Sequence, residues 1–450
     1  MRAETAAVID KLVESQFVPW LRVIDEAGLD QWPQAPADAE QVVAPLRWLL
    51  DRVGEGLTLT KAGHLPPAVV AETMVALGRD EQWIGKANRE EQTWPVRQLR
   101  ESAQRLGLAR KYSGKLLVTK IGQQARADPA RLWWRLAECL PLGRSEAERD
   151  AGILYLLNVA SGRPRDPGML AEGLSLLGWV GQRSRDRITP EAASAAAGES
   201  WALFGLLDLV PTLGRGDPDA PADERARQLA RAALLGAPPK WWRAGGEPAG
   251  VSAGWSVARD REVRLLISLR GIDPPIWRRV VVPESMWLRE LHAVIQIAMG
   301  WQNSHLHEFD IEGARYGDPD LALEFGDMDL ALCDERRFTV GQAAHAASRF
   351  GYAYDFGDGW GHEISVEAVL ASDRPPVSRL LAGERACPPE DCGGVGGYEE
   401  LLAALADPAH EEHESMLEWT GGGFDPERFD LVGTGADLAV WDRVARRRRR

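Results

Sequence analysis

Apolar residues in the first half of the chain recur every three or four positions, which is the spacing that places them on one face of a helix. Two stretches show this most clearly, Val43, Leu46, Leu49, Leu50 and Val53, and then Leu132, Leu136, Cys139 and Leu140. The spacing predicts that residues 1–236 are mostly helical, with one buried face on each helix.

A weak repeat interrupts these helices, in which a short β-prone run ends at a threonine that could cap the next helix. Its three copies are GLTLTKAG (residues 56–63), KLLVTKIG (115–122) and DRITPEA (186–192). The second copy has the fullest context, because a predicted helix over 95–106 precedes the run ARKY, a Ser113-Gly114 turn and the run KLLVT. A helix, a tight hairpin and a further helix are typical of a winged helix. We therefore expect a winged-helix-like N-terminal region with two or three such domains.

The pattern changes after residue 255. Short runs of alternating or β-branched residues predict strands, and amphipathic segments predict helices between and after them. The strands are predicted over 263–269, 276–282, 306–311, 353–356 and 361–370, and the helices over 286–299, 398–406 and 410–419. A small antiparallel sheet with helices packed on it is an α+β domain, so the predicted fold class of the chain is α+β.

A stretch rich in Pro, Gly and Trp, residues 237–255, is typical of a linker and divides the chain into two predicted domains. The first is the helical, winged-helix-like N-terminal region, residues 1–236. The second is the α+β domain, residues 256–442. Residues 443–450 form an Arg-rich tail, which we expect to be disordered.

Composition indicates a globular protein, with 45% hydrophobic and 27% charged residues. The sequence has no N-terminal signal pattern and no run of apolar residues that could span a bilayer, and its four cysteines are too few for a disulfide framework. These features predict a cytoplasmic protein without a membrane partner. The net charge of −14 is uneven, since residues 1–250 carry 32 basic and 32 acidic side chains and residues 251–450 carry 21 and 35. The acidic second half is a poor match for phosphate.

Several sequence blocks of the second half, in this order and spacing, are similar to those of a known family. The blocks are PPIWRR (274–279), LH (291–292) with QIAMGW (296–301), HLHEF (305–309), YAYDFGDGWGH (352–362), CPPEDCGGVGGY (387–398), and Trp419 with FDPERFD (424–430). Residues 258–440 thus resemble the plasmid pRiA4b ORF-3-like family, whose members are also called TnpR-like insertion-element passenger proteins. The resemblance implies a compact α+β domain that is widespread in bacteria and carried on some mobile elements. It implies no particular activity.

The resolvase activity that the TnpR label implies has no support in the residues. A serine recombinase needs an activated serine among clustered arginines near its N-terminus. Residues 1–50 contain one serine, Ser15, and after Arg2 only the isolated Arg22 and Arg47. We therefore expect no recombinase chemistry.

Most of the histidines and cysteines lie in the second half and could form a site with nearby carboxylates. The candidate site residues are His305, His307, Asp355, Asp358, His362 and Glu390, and the candidate metal ligands are His305, His307, Cys387 and Cys392. On a strand, His305 and His307 would point to the same face because they are two residues apart. Zinc is the metal expected for such ligands, and Glu390 could serve as a base. The alternative is a structural hydrogen-bond network.

One segment of the first half is basic. Residues 101–135 contain 8 basic and 2 acidic side chains and coincide with the clearest winged-helix pattern. The candidate nucleic-acid contacts are Arg110, Lys111, Lys115 and Lys120. Winged helices also bind proteins, so the leading hypothesis is a non-enzymatic binding or regulatory protein, associated with mobile elements, that contacts nucleic acid or a protein partner. The alternative is a metal-assisted enzyme of the hydrolase type that uses the His, Asp and Cys residues of the second half.

Overall fold

The computed structural model describes residues 1–30, 33–81, 83–181, 187–211, 217, 220–236, 261–318, 332–372 and 375–449. The chain divides into two compact units, of which unit 1 comprises Met1–Leu12 and Val23–Ala249, and unit 2 comprises Val13–Arg22 and Gly250–Arg450. Helices and largely antiparallel sheets give the chain an α+β fold, as predicted. The predicted linker, residues 237–255, lies outside the described residues. None of the described helices is both long and apolar enough to cross a membrane.

Residues 1–236 are mostly helical, as the apolar spacing predicts. The helices are α1 (Ala3–Glu14), α2 (Val18–Glu26), α3 (Ala39–Val53), α4 (Pro67–Ala76), α5 (Trp94–Arg105), α6 (Lys120–Arg126), α7 (Pro129–Cys139), α8 (Glu146–Ser161), α9 (Pro167–Leu176), α10 (Pro190–Ala196), α11 (Gly198–Leu206) and α12 (Glu224–Leu235). Asp128, Ser145 and Asp223 each accept a backbone N–H in the first turn of α7, α8 and α12. Such caps satisfy donors that have no partner within the helix.

The repeated threonine caps a helix in two of the three copies. Thr119 Oγ1 accepts a backbone N–H in the first turn of α6 at 3.0 Å, and Thr189 Oγ1 does the same in α10 at 3.3 Å. Thr60 accepts the His64 N–H inside a turn instead, at 3.1 Å, and α4 begins later, at Pro67. Proline starts a helix readily because it lacks the N–H that would need a cap.

A small antiparallel sheet accompanies the helices of unit 1. Its strands β1 (Leu57–Thr58), β2 (Ala109–Tyr112) and β3 (Lys115–Val118) are arranged in the order β1-β3-β2. The turn between β2 and β3 is Ser113-Gly114, with φ of 45° and 71°. Positive φ at both central residues gives the backbone twist that matches a hairpin. The hairpin predicted from the ARKY and KLLV runs is therefore present.

Unit 2 contains an eight-stranded sheet. Its strands are β4 (Arg261–Leu269), β5 (Trp277–Pro283), β6 (His307–Ile311), β7 (Ala314–Gly317), β8 (Cys333–Asp334), β9 (Arg349–Tyr354), β10 (Trp360–Ala371) and β11 (Arg379–Glu384). Their order across the sheet is β11-β5-β4-β10-β9-β6-β7-β8. The accompanying helices are α13 (Leu288–Met299), α14 (Val340–Ala346), α15 (Gly394–Ala406), α16 (His413–Trp419) and α17 (Leu431–Arg449).

One face of this sheet is buried, and the other carries ion pairs. Alternate residues of β4, such as Ile267, are fully buried, as a period of two requires. On the opposite face, Arg264 and Glu367 form an ion pair at 3.1 Å. Helix α13 packs against the buried face, because its residues hydrogen-bond to the side chains of Arg278 and Tyr352.

Arg278 ties the elements of unit 2 together. It is 1% exposed, and within the described part of the chain it has no carboxylate partner. Its guanidinium donates at 2.8–2.9 Å to the backbone carbonyls of Trp277, Ala298, Glu384 and Arg385. The same group lies 3.7 Å above the ring of Phe429. Burial lowers the pKa of Arg278 to about 10, so the side chain stays charged at neutral pH.

The Arg-rich tail is helical where the structure describes it, so the expectation of disorder is wrong for residues 443–449. Helix α17 runs through Arg449, and its residues Trp441 and Val444 are buried. Asp442 Oδ1 accepts hydrogen bonds from the backbone N–H of Ser378 at 3.0 Å and from its hydroxyl at 2.8 Å. The apolar contacts and this buried carboxylate hold the helix in place. The run of arginines alone gave no sign of these contacts.

Replacing Arg278 with Met should lower the free energy of unfolding by about 4 kcal/mol or more. Methionine keeps much of the volume but leaves buried carbonyls without a donor, at about 1–3 kcal/mol each. Urea denaturation followed by circular dichroism measures the change. The control is Arg270→Met, at a side chain that is 60% exposed, which should change the stability by less than about 0.5 kcal/mol. Equal stability of the two variants would contradict the role of Arg278.

Candidate functional site

Helix α13 and strand β9 bury a network of polar side chains. His292 is hydrogen-bonded through Nδ1 to the Tyr352 hydroxyl and through Nε2 to Asn303 Oδ1, both at 2.8 Å. An amide oxygen can only accept, so Nε2 carries the hydrogen and Nδ1 accepts from Tyr352. Gln296 Nε2 donates to the same hydroxyl at 3.1 Å. Burial lowers the pKa of His292 well below its ordinary value, so the network is neutral.

His307 belongs to this buried network. Its ring stacks on that of His292, with centroids 3.5 Å apart and planes 5° from parallel. His307 Nε2 lies 2.8 Å from Glu335 Oε2. Burial lowers the pKa of His307 to about 3 and raises that of Glu335 to about 7. Burial therefore disfavours the charged form of both residues, and when Glu335 is protonated its O–H can donate to the lone pair of His307 Nε2.

His305 lies in the loop before β6, so the expectation that it shares a strand face with His307 is wrong. Strand β6 begins at His307, and the carbonyl of Leu306 accepts the Asp355 N–H at 2.9 Å. This bond fixes the loop against the end of β9. His305 Nε2 lies 3.0 Å from Asp391 Oδ1 and 3.5 Å from Asp355 Oδ2. The two histidines thus contact different partners.

His305, Asp355 and Asp391 form a compact group of ligand-type side chains. Among the described residues, this is the one group of three or more His, Cys, Asp or Glu whose donor atoms all lie within 4.8 Å of one another. Asp355 is 7% exposed, whereas the Asp391 side chain is 71% exposed, so the group opens to solvent on one side. Both aspartates have left-handed backbones, with φ of 54° and 60°, which Asp and Asn tolerate better than most residues. These three residues could hold a cation.

Asp358 packs against the glycine-rich start of α15. Its Oδ2 accepts the Gly393 N–H at 3.0 Å. A Cβ at Gly394 would lie 2.3 Å from the Asp358 carbonyl oxygen, and a Cβ at Gly397 would lie 1.9 Å from that of Cys392. Positions 394 and 397 therefore need glycine, and the contacts of Asp358 are structural.

Cys387 and Cys392, which the sequence analysis proposed as metal ligands, lie outside the three-residue group. Burial raises the pKa of the Cys387 thiol and raises that of Cys392 to about 11. Both thiols are therefore protonated at neutral pH, whereas the thiolate is the form that binds metal. The structure does not bring the cysteines together with His305 and His307 as one ligand set.

Glu390 anchors the loop that follows α13. Its carboxylate accepts hydrogen bonds from the Gln302 N–H at 2.9 Å, the Ser304 hydroxyl at 3.2 Å and the Tyr354 hydroxyl at 2.6 Å. These three donors occupy both lone pairs of Oε1 and one of Oε2, so three of the about four acceptor sites of the carboxylate are in use. The contacts of Glu390 are those of a positioning residue for the loop that carries His305.

His362 lies on the buried face of β10 and is 0% exposed. Its ring is surrounded by aromatic rings, with centroids 5.2 Å from Tyr352 and 5.3 Å from Trp301. The backbones of Tyr352 and Trp360 are close to the ring, but neither ring nitrogen makes a hydrogen bond of good geometry with a described residue. Burial lowers the pKa of His362 to about 4, so the ring is neutral at pH 7.

In unit 1, the β2–β3 hairpin carries the basic residues proposed as nucleic-acid contacts. Arg110, Tyr112 and Lys115 lie on its outer face, because Tyr112 pairs with Lys115 and Arg110 is two residues from Tyr112. All three are exposed. Lys111 points to the other face, where its Nζ donates to a backbone carbonyl at 2.5 Å. Lys120 is exposed at the first residue of α6.

The exposed face of α5 is covered in part by α11. Arg105 and Glu199 join the two helices through an ion pair at 2.6 Å. The cleft between the helices has a volume of about 320 Å³, and Trp94, Arg97 and Gln98 are among its lining residues. A cleft of this volume is at the small end of the range that holds a small molecule.

The site and network residues that the sequence analysis missed are Asp391, Glu335, Tyr352, His292, Gln296 and Asn303. Asp391 has the same sequence signal as Glu390, since both are acids in the CPPEDC block, and only the loop conformation distinguishes them. Glu335 lies outside every block of the family resemblance. Glu335 directly follows β8, and its contact with His307 depends on the pairing of β8 with β7. No local sequence pattern predicts this pairing.

Comparisons with known proteins agree with the resemblance of the second half. The family model described as "Plasmid pRiA4b ORF-3-like protein" matches residues 261–432. A curated relative, "Uncharacterized protein y4hQ" of Sinorhizobium fredii (strain NBRC 101917 / NGR234), is 43% identical over 193 residues, which are 41% of this chain and 97% of the relative. A solved structure, the protein of unknown function MM3350 from Methanosarcina mazei Go1, is 37% identical, with 38% of this chain and 96% of that chain covered and a TM-score of 0.34.

The stability of unit 2 should fall in acid because of His362. Its folded pKa of about 4 is below its ordinary value of 6.5, so the folded chain disfavours the proton that the unfolded chain binds. The free energy of unfolding is therefore highest above pH 6.5, and it decreases as the pH falls from 6.5 toward 4. Between pH 7 and pH 5 this residue alone should account for a loss of about 2 kcal/mol.

Urea denaturation of the unaltered chain and of His362→Leu, at pH 7 and pH 5, measures this loss. The variant should lose about 2 kcal/mol less than the unaltered chain between the two pH values. His345 is exposed, so His345→Leu is a matched control and should lose as much as the unaltered chain. The same pH dependence in all three proteins would mean that His362 does not titrate as its burial requires.

Proposed function

The chain belongs to the plasmid pRiA4b ORF-3-like family through its residues 261–432, and from this premise we propose that it is a binding protein whose unit 1 contacts nucleic acid. Its relatives are uncharacterised, so the proposal depends on the chain's own surfaces. The observation that carries it is the outer face of the β2–β3 hairpin, where Arg110 and Lys115 flank the exposed ring of Tyr112.

The order of elements in unit 1 supports a winged helix. Helix α3 is followed by β1, then by α4 and α5, and finally by the β2–β3 hairpin. The sheet order β1-β3-β2 pairs the hairpin through β3 with β1, the strand between α3 and α4. We infer that the hairpin is the wing, and that α5 occupies the position of the recognition helix.

The charge of the hairpin suits a phosphate backbone. Within the part of the chain that the structure describes, Arg110, Lys115 and Lys120 form no ion pair, and all three are exposed. Free cations of this kind can release counterions from nucleic acid, which drives binding. Lys111 contributes less, because its Nζ is already bonded to a carbonyl and burial lowers its pKa. The Tyr112 ring is 62% exposed and could stack on a sugar or base.

Base-specific contacts are not part of this proposal. A recognition helix reads bases by entering the major groove, which is about 12 Å wide. Helix α11 lies against the exposed face of α5, and the Arg105–Glu199 ion pair joins them. We therefore propose that binding is directed at the backbone and has little sequence preference. A regulatory role connected with mobile DNA is compatible with such binding.

The alternative from the sequence, a metal-assisted hydrolase, needs a free base beside the reacting water. Glu390, its proposed base, accepts three hydrogen bonds from the surrounding loop. Cys387 and Cys392 have raised thiol pKa values and lie outside the group of His305, Asp355 and Asp391. These contacts favour binding over hydrolysis as the proposed function.

Duplex DNA should bind the full chain, with an affinity that falls steeply as salt is added. Each phosphate contact contributes about 0.9 to the slope of log affinity against log salt, so three contacts give a slope of about −3. The variant Arg110→Ala, Lys115→Ala, Lys120→Ala should bind at least about tenfold more weakly at 100 mM salt and reduce this slope to near zero. Fluorescence anisotropy of a labelled 20-base-pair duplex measures both quantities.

A charge-matched control distinguishes the effect of the hairpin residues from the effect of a lower net positive charge. Lys86, Arg89 and Arg428 are exposed basic residues outside the hairpin, and their triple Ala variant removes the same charge. It should bind DNA as the unaltered chain does. Failure of the unaltered chain to bind DNA at 50 mM salt would reject the proposal and leave a protein partner as the better candidate. Equal weakening by both triple variants would reject the hairpin as the contact surface.

A further inference from the structure

We propose that His305, Asp355 and Asp391 of unit 2 bind one divalent first-row transition-metal ion. The site is separate from the nucleic-acid function proposed for unit 1. It also differs from the ligand set expected from the sequence, because it omits both cysteines and His307 and includes Asp391.

The distances between the donor atoms match those around a single small ion. Bonds of about 2.0–2.2 Å to nitrogen and oxygen place neighbouring ligands about 3 Å apart around an octahedral ion and about 3.4 Å apart around a tetrahedral one. His305 Nε2 lies 3.0 Å from Asp391 Oδ1 and 3.5 Å from Asp355 Oδ2. A cation between these atoms would therefore need little movement of the side chains.

One donor atom of the group, His305 Nε2, lacks the hydrogen bond that would otherwise explain its placement. His305 Nε2 is shielded from solvent but makes no hydrogen bond of good geometry with a described residue, although Asp391 Oδ1 is near. Asp355 is 7% exposed, and its Oδ1 accepts the backbone N–H groups of Gly357 and Asp358. Its Oδ2 is directed at His305 instead. A buried polar atom without a partner is costly, and a cation bound between His305 Nε2 and Asp355 Oδ2 would satisfy the histidine nitrogen.

The charge of the group also favours a cation. Among the residues that the structure describes, neither Asp355 nor Asp391 is paired with Lys or Arg, and His305 is their one ion-pair partner. Two carboxylates without a Lys or Arg partner leave a negative charge that a divalent ion would balance. The surroundings are acidic too, since residues 251–445 carry 16 basic and 35 acidic side chains. Attraction of cations to unit 2 follows from this imbalance.

The ligand types indicate which ions should bind. One imidazole and two carboxylates suit borderline ions such as Mn²⁺, Fe²⁺, Co²⁺ and Zn²⁺. The lack of a thiolate in the set disfavours Cu⁺, and the imidazole disfavours Mg²⁺ and Ca²⁺, which prefer oxygen ligands. Three protein ligands leave coordination positions open, and Asp391 is on the solvent side. The ion should therefore keep at least one water molecule.

Calorimetric titration of the full, untagged, chelator-treated chain with ZnCl₂ and with MnCl₂ at pH 7.5 tests the proposal. We expect one ion to bind per chain and thermal unfolding of unit 2 to shift upward when the ion is present. His305→Gln and Asp391→Asn should each weaken binding at least tenfold. Asn tolerates the backbone conformation at position 391, so the second variant should keep the fold.

Three matched controls complete the test. His345→Gln and Asp425→Asn change exposed residues outside the group and should bind as the unaltered chain does. The double variant Cys387→Ser, Cys392→Ser should also keep the affinity, which it would lose if the thiols were ligands. Absence of saturable binding by both ions would overturn the proposal. So would binding that His305→Gln and Asp391→Asn leave unchanged, since it would place the ion elsewhere.

Discussion

The fold of unit 2 depends on a buried guanidinium group. Arg278 donates to carbonyls of β5, of the last turn of α13 and of the end of β11, and it stacks on Phe429. A charge buried without a counter-charge needs hydrogen-bond acceptors in place of water, and Arg278 has four of them. The loop that carries His305 starts where α13 ends, and the segment that carries Asp391 starts just after β11. Arg278 therefore fixes the end of α13 and the end of β11, from which the two segments of the proposed metal site begin.

The two units have different electrostatic characters, and each fits a different kind of ligand. Unit 1 is neutral overall but presents unpaired Arg110 and Lys115 on one exposed hairpin. Unit 2 is acidic and directs two unpaired carboxylates at His305. Phosphate is attracted to the first surface and a cation to the second. The net charge of −14 alone hides this difference.

Local signals predicted some of the elements of unit 2 but not β7, β8, β11, α14 or α17, and the partners of each residue needed the structure. Alternation placed β4 and β10 to within two residues, and the Ser113-Gly114 signal gave the hairpin. Thr60 shared the pattern of Thr119 and Thr189 but caps no helix, because Pro67 starts the next one. His305 and His307 were expected to act together, yet the start of β6 separates their environments. Asp391 could not be chosen over Glu390, since that choice depends on a loop conformation.

We propose that unit 1 contacts nucleic acid through its hairpin rather than through α5. Hydrogen–deuterium exchange of the full chain, with and without a 30-base-pair duplex at low salt, tests it most directly, because it reports the contact surface without altering any residue. We predict slower exchange in peptides that cover residues 109–120 and unchanged exchange in those that cover Trp94–Arg105. Slower exchange across α5 with no change in the hairpin would contradict the account.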